Sequence, residues 1–348
     1  MMKLEQATIK DIAKELNISV STVSRALKDY HGINAETKRK VKEVAEKLNY
    51  RPNAIALSLR KSRSFTIGVI IPEVVHFFFS SVISGIEEVA FARGYNVILA
   101  QTNEKLAREM SSIQTMLSNQ IDGIMISFSK ETTDFEHFSK LLSQNYPIVF
   151  FDRTPDLLGA INVMIDDYQG AYNATSHLIE QGYQRIVHLA GPKNLKICME
   201  RERGYRDALL AHQMPILEEF IIECFHGTAE ESKMLTKTLL SNSQLRPDAI
   251  FANNDTVAIG AMMAGKETGL RIPEDLGIIG FSDWQLCTMV DPTLSSVSQP
   301  GFDIGAKSTE LLLDLIEKKV MADQITSPMI LPTELALRNS SNRLKGEK

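Results

Sequence analysis

The sequence predicts a small all-α helix-turn-helix head joined to an α/β body built from two doubly wound parallel sheets, and three observations carry the prediction. Residues 8 to 27 hold two short stretches of helical apolar spacing separated by a tight turn. From Phe65 onward, short continuous apolar runs alternate with helical stretches, and the series occurs twice. Charge divides at the same place: residues 1 to 63 hold 14 Lys and Arg against 7 Asp and Glu, and the rest 24 against 36, within a whole-chain balance of −5. At 348 residues the chain is too long for one ordinary core and suits a head plus a bilobed domain. The cationic end suits nucleic acid, while the acidic remainder argues for a tethered head rather than a chain that coats nucleic acid along its length.

Within the head, Thr8 is placed as the N-cap of a first helix over about Ile9 to Leu16, and Asp11 completes a capping box. Ile9, Ile12, Ala13 and Leu16 form one apolar face, on which the small Ala13 lets a second helix cross closely. Asn17 takes the turn, because Asn tolerates left-handed backbone. Ile18 plugs the small core and Ser19 or Ser21 caps the second helix, whose Val23, Ala26 and Leu27 face the first. Val20, Ser21, Thr22, Ser24, Arg25 and Lys28 then point outward, a set of short hydroxyl and basic side chains suited to phosphates and base edges. An ordinary helical hairpin with a solvated polar face is the competing reading.

Asn34 to Tyr50 predicts a third helix with Val41, Val44, Ala45 and Leu48 inward. Lys38, Arg39 and Lys40 near its start oppose the helix dipole, so DNA phosphate is their natural counter-charge. Pro52 stops that helix and Asn53 caps a segment, Ala54 to Leu59, too short to be stable alone in water. Arg51, Arg60, Lys61 and Arg63 flank it, so it is suited to folding on binding.

In the body, TIGVIIPE, YNVILAQT, IDGIMISF and PIVFFDR form one series of strands, and INVMIDD, RIVHLAG, FIIECF, DAIFANND and LGIIGFSD a second. Continuous apolar strands alternating with helices imply parallel sheets covered on both faces. PTLSSVSQP, a helix over Phe302 to Lys319 and the strand-like PMILPTELALRNSS complete the chain. Cys198, Cys224 and Cys287 have no CxxC or metal-ligand spacing and are read as buried thiols. No apolar run reaches transmembrane length and no signal peptide precedes the head, which predicts a cytoplasmic protein that does not contact a membrane.

Doubly wound sheets bind ligands at the carboxyl ends of their strands, so a cleft between two lobes should be lined by strand-terminal residues. That gives His76, Phe77, Phe78 and Phe79; Ser127 and Phe128; Asp152 and Arg153; Asn253, Asn254 and Asp255; Ser282, Asp283 and Trp284; and Arg201 on the helix after RIVHLAG. Aromatic rings with Asp, Asn and Arg around them suit a sugar or another polyhydroxylated ligand. Phe78 and Phe79 stand between core and pocket, Asp152 between ligand contact and ion pair with Arg153, and Arg201 competes with Arg203 and Arg206. Asp255 is read as the cap of the helix TVAIGAMMAG, leaving Asn254 as the ligand contact.

Enzyme readings fail on motif physics. GAMMAGKET near Gly260 lacks the strand before a P-loop and the hydroxyl residue after Lys266 that would hold Mg²⁺. GxGxxG after the first strand, GxSxG and HExxH are absent, and nothing raises Asp152 and Asp283 to a glycosidase pair. No cofactor, metal or catalytic residue is expected.

ATIKDIAKELNISVSTVSRAL and NAETKRKVKEVAEKLNYRPNAIALSLR closely resemble the LacI family of bacterial transcription regulators, and the likeness runs nearly the whole chain. The resemblance implies a homodimer on a near-palindromic operator, with Val20, Ser21 and Arg25 reading bases and Thr8, Ser19, Thr22, Ser24 and Asn53 mainly holding phosphates. It also implies a hinge segment in the minor groove, with Ala56 among its contacts and Leu59 wedged between base pairs. Arg201, in an R..G pattern with Gly204, matches the family's effector-binding Arg; Asp152, Asn254, Phe78 and Phe79 match other effector contacts. Ser282 stands where well-known members carry Asp, so Asp283 or Trp284 substitutes, and Thr228 takes a place often held by an aromatic.

The implied domains are a head at 1–50, a hinge at 51–64 and a periplasmic-binding-protein-like body at 65–340. Its N-lobe would hold 65–163 plus 296–323 and its C-lobe 164–295 plus 324–340, with crossings near 163, 295 and 325. The chain ends soon after LALRNSS without a heptad tail, which favours a dimer over a tetramer. The expected function is a regulator, read as a repressor, whose operator affinity answers to a small carbohydrate. A sugar-binding sensor or enzyme with a protein-docking basic head is the alternative.

Overall fold

The computed structural model describes residues 7–50, 63–75 and 77–343. Asn53, Ala56 and Leu59, most of the expected hinge and His76 lie outside those residues. The described residues fall into two compact units, one ending at Phe65 and the other beginning at Thr66.

The head is three helices: α1 (Ile9–Leu16), α2 (Val20–Leu27) and α3 (Ala35–Lys47). Thr8 and Asp11 close the first end, with the Thr8 amide and hydroxyl both donating to Asp11 Oδ2 at 2.7 Å. Those bonds hold the Asp11 carboxyl below its usual range. Asn17 ends α1 at φ 51°, and the amide of Ile18 returns to the Ala13 carbonyl at 3.0 Å, so the chain turns within three residues. Ser19 and Asn34 cap α2 and α3 through the amides of Thr22 and Thr37. Ile12, Ala13, Val23, Ala26, Val41 and Ala45 meet in one core, with Ile9, Leu16, Ile18 and Leu27 packed around it.

The body holds two six-stranded sheets. In the first, β11 (Met329–Leu331), β5 (Ile161–Ile165), β4 (Ile148–Phe151), β3 (Gly123–Ile126), β1 (Thr66–Ile71) and β2 (Asn96–Gln101) lie in that order, all parallel. The second runs β12 (Glu334–Ala336), β10 (Ser295–Ser298), β9 (Gly277–Ser282), β8 (Ala249–Ala252), β6 (Ile186–Ala190) and β7 (Ile221–Glu223), with only β12 antiparallel.

Helices cover both sheets. α4 (Phe77–Ala92), α5 (Leu106–Ser118), α6 (Glu136–Ser143) and α11 (Gly301–Ile316) serve the first lobe; α7 (Asp167–Glu180), α8 (Lys196–Ala211), α9 (Ala229–Ser241) and α10 (Asp255–Glu267) serve the second. Helices α4 and α11 touch backbone to backbone: a Cβ on Gly85 would sit 2.0 Å from the Phe302 carbonyl oxygen, and one on Gly305 2.0 Å from that of Val82. Only glycine fits at that crossing. GAMMAGKET lies almost wholly inside α10, so no phosphate loop forms there.

Three boundaries differ from the expectation. INVMIDD contributes β5 to the first sheet, where Val149 to Phe151 pair with Ile161 to Val163, so the first crossing follows Ile165. β10 pairs with β9, which moves the second crossing from 295 to after Ser298; its SSVS sequence has too little apolar character to announce a strand. The last stretch is two strands, because Pro332 cannot donate to a ladder: Met329–Leu331 joins the first sheet and Glu334–Ala336 the second. Among the described residues no helix is long and apolar enough to cross a membrane.

Candidate functional site

Two regions gather the residues singled out in the sequence. On the head, the Ser19 hydroxyl lies 2.7 Å from that of Ser21 and 2.8 Å from that of Thr22, so three hydroxyls cluster at the start of α2. Val20 and Ser21 are exposed, Thr22 and Ser24 half-buried. Arg25 is exposed in the last turn of α2, its guanidinium 5.8 Å from the Tyr30 ring centre. Val23 and Ala26 point into the core between them, so the helix separates a packed face from a polar one.

The basic run at the start of α3 finds partners within the head. Lys38 donates to the Asp29 carbonyl at 2.9 Å, Lys40 pairs with Glu36 at 2.9 Å and Arg39 with Glu43 at 3.5 Å. Exposed pairs of this kind are weak, so they compete poorly with a denser anion.

In the body, a cavity of about 500 Å³ is lined from both lobes. That volume falls in the ordinary range for small-molecule sites. Phe77, Phe78, Phe79, Asp152 and Arg153 come from the first lobe; Arg201, Asn253, Asn254, Asp255, Ser282 and Trp284 from the second.

Asp152 turns into the cavity because it follows β4 in the left-handed region, at φ 61°. It accepts from the Ser127 hydroxyl at 3.1 Å, and burial pushes its carboxyl up against the pull of Arg153 and Arg201. Its neighbour Arg153 does not pair with it, which sets aside the ion-pair reading of Asp152. Arg153 instead bridges both oxygens of Glu104, at 2.7 and 2.9 Å, so Asp152 keeps polar capacity for something else.

Arg201 is the most constrained side chain of the group. Its Nε donates to Asp167 Oδ1 at 2.7 Å, its Nη1 to the Asn253 carbonyl at 2.6 Å, and its guanidinium carbon lies 3.7 Å from the centre of the Phe281 ring. Arg203 is exposed and pairs with Glu200; Arg206 pairs with Glu202 and Glu218. Of the three, Arg201 alone lines the cavity.

The capping role expected of Asp255 falls to Asn254. Asn254 caps α10, its Oδ1 accepting from the Val257 amide at 2.9 Å, which leaves its amide nitrogen to donate. Asp255 braces the next loop: it accepts from the Trp284 amide at 2.7 Å and the Ser296 hydroxyl at 2.6 Å, and burial pushes its carboxyl up to about 7. Trp284 is thereby fixed on the cavity wall. Asp283 is not on that wall; its carboxylate is drawn 2.7 Å from Arg338, so it cannot stand in for the missing family Asp. Ser282 does line the cavity. Phe128 packs in the first-lobe core against Phe135 rather than facing the cavity. Phe79 is mostly core, in edge contact with Phe78 at 5.2 Å and Phe151 at 6.5 Å.

Sequence reasoning passed over Glu104, Phe225, His226 and Gln299, all on the cavity wall. Glu104 and Phe225 follow the edge strands β2 and β7, so the strand-end rule would have found them had it been applied to YNVILAQT and FIIECF. Thr228 lines the cavity while capping α9 through the Glu231 amide.

Residues 8–53 match the family described as bacterial regulatory proteins, lacI family, and residues 64–334 the periplasmic binding proteins and sugar binding domain of LacI family. Catabolite control protein A of Priestia megaterium is 34% identical over 335 residues, 96% of this chain and 99% of that one. The ribose operon repressor of Halalkalibacterium halodurans is 35% identical over 334 residues, 96% and 97% of the two chains. A solved structure of the lac repressor dimer bound to operator and the anti-inducer ONPF matches with a TM-score of 0.84 at 25% identity, covering 97% of this chain and 99% of that one.

Proposed function

Because the chain belongs to the LacI family of bacterial regulatory proteins, we propose that it is a transcriptional repressor that grips operator DNA with its head and changes grip when a carbohydrate enters its body. Family membership makes it a DNA-binding regulator rather than an enzyme. The observation that carries the reading is the second helix of the head: three clustered hydroxyls and Arg25 on a face whose back is packed. Short hydroxyls and backbone amides at a helix start hold phosphates, and an arginine one to two turns along reaches base edges in the major groove.

In this reading Val20, Ser21 and Arg25 read bases, Val20 through apolar contact with a thymine methyl; Thr8, Ser19, Thr22 and Ser24 position the backbone. Asn53, Ala56 and Leu59, which the sequence resemblance assigns to the minor groove, supply the link between head and body. Asp152, Arg201, Asn254 and Ser282 meet ligand hydroxyls, with Phe78 and Trp284 as ring platforms. Support for a sugar comes from the matching sugar-binding domain and from the ribose operon repressor among the relatives. A ligand touching both lobes favours the arrangement in which it is held between them, and that difference in affinity is what reaches the DNA.

The protein acts as a homodimer in the cytoplasm. The lac repressor match is a dimer, and the edge strand β2 exposes Ile98 and Leu99 beside the exposed Phe91 of α4, a face suited to a second copy. The test is selection of genomic DNA fragments by the purified protein across a salt series. A recurring near-palindromic site whose affinity falls steeply with salt is expected. Recovery of no preferred sequence, or affinity insensitive to salt, would sink the proposal and favour a head that docks on protein.

A further inference from the structure

Carbohydrate binding leaves the size of the ligand open, and the two walls of the cavity differ in a way that bears on it. Asp152, Arg201 and Asn253 are each more than nine-tenths buried and supply charged and amide groups. Phe77, 41% exposed, and Phe225, 51% exposed, line the same cavity from opposite lobes. Single exposed apolar residues are ordinary, but two phenyl rings on the open part of one concave site ask for something to cover them.

Phe225 is also held in place. Its ring meets His226 edge-on at 5.3 Å, and the amides of His226 and Gly227 donate to Glu231 at 2.8 and 3.0 Å, tying the loop to α9. A ring on a tied loop loses little freedom on binding.

We infer that the ligand is a carbohydrate of at least two rings, one hydrogen-bonded by Asp152, Arg201 and Asn253 and the other stacked on Phe77 and Phe225. This rests on the carbohydrate reading of the same cavity. Sugar rings present apolar CH faces to aromatic rings while their hydroxyls point sideways, so a second ring is the chemistry that satisfies both walls.

Full-length protein titrated with glucose, fructose, galactose and ribose, and with maltose, cellobiose and sucrose, gives the test, followed by Trp284 emission and calorimetry. One disaccharide should bind at least about tenfold tighter than the monosaccharides it contains. Phe77→Ala and Phe225→Ala, both at exposed positions that the fold does not need, should each cut that preference to less than about threefold. A monosaccharide that binds as tightly as every disaccharide, or a preference unchanged in both variants, overturns the two-ring assignment and leaves the carbohydrate reading intact. A response to none of these sugars but to adenine or guanine overturns both.

Discussion

Replacing Arg201 with alanine should weaken the second lobe before it says anything about ligand. Arg201 is 4% exposed and donates at 2.7 Å to Asp167, itself 3% exposed, and at 2.6 Å to the Asn253 carbonyl. Burial already pushes the Asp167 carboxyl up to about 6 with Arg201 beside it. Remove the guanidinium and a buried carboxylate loses its counter-charge, which costs about 3–5 kcal/mol, a large part of the roughly 5–15 kcal/mol that holds a domain together. At about 3 kcal/mol per molar urea the midpoint should fall by about 1–1.7 M.

Asp167 in the variant can escape only by taking a proton, so its folded pKa rises further above the unfolded value of 3.8. The loss is therefore small at low pH and grows as pH rises through that folded pKa. Urea unfolding at pH 5 and pH 8, followed by Trp284, the sole tryptophan of the chain, reads this directly. Arg201→Met combined with Asp167→Asn removes both charges at similar volume and should restore most of the midpoint, because replacing both partners is close to neutral. Ligand response should vanish in single and double variants alike. An unchanged midpoint in Arg201→Ala, or a double variant no better than the single, would refute the reasoning.

Four further perturbations separate other parts of the account. His188 lies fully buried between the Phe251 and Tyr205 rings with Nδ1 3.0 Å from the Phe251 carbonyl, and burial holds its pKa down at about 4 against 6.5 when unfolded. Its contribution is complete above pH 6.5 and is lost as pH falls to about 4, by about 3 kcal/mol; His188→Gln should flatten that part of an acid-denaturation curve, and an unaltered curve would count against it. Asp255 ionises near pH 7 when folded and 3.8 when unfolded, so the stability it gives is greatest below pH 3.8 and declines as pH rises to about 7. Since Asp255 holds the Trp284 amide, Trp284 emission should titrate with a midpoint near 7 and become flat in Asp255→Asn. On the head, Arg25→Ala should cost about 1–3 kcal/mol of affinity for a selected site and relax its sequence preference in gel shifts at fixed salt, whereas Ser19→Ala should cost about 1 kcal/mol of head stability by thermal melting without DNA. A preference for the selected site that survives Arg25→Ala undiminished would remove that residue from base reading.

The head was legible because its determinants are local. Thr8 with Asp11, Asn17 at the turn and Ser19 at the next cap act over three or four residues, and the apolar positions of α1, α2 and α3 are close enough in sequence for periodicity to show. In the body the strand-end rule brought Asp152, Arg201, Asn254 and Trp284 to one cavity. What escaped depends on distant partners. Arg153 could not be assigned to Glu104, 49 residues earlier, and Asp283 could not be seen to face Arg338. Asn254 and Asp255 are adjacent and both cap-forming, so only the position of Ser296, 41 residues beyond Asp255, decides which one caps and which one braces. The lobe crossings were misplaced by a few residues because small strands such as SSVS carry no apolar signal of their own.

The central claim is that occupancy of the body cavity is felt by the head. Anisotropy titration of a labelled selected DNA fragment with the full-length protein, at one fixed salt concentration, with and without a saturating amount of whichever sugar shifts Trp284 emission, tests it most directly. The account predicts that operator affinity changes by about 5- to 150-fold between the two titrations. Superimposable titrations at saturating sugar would contradict it.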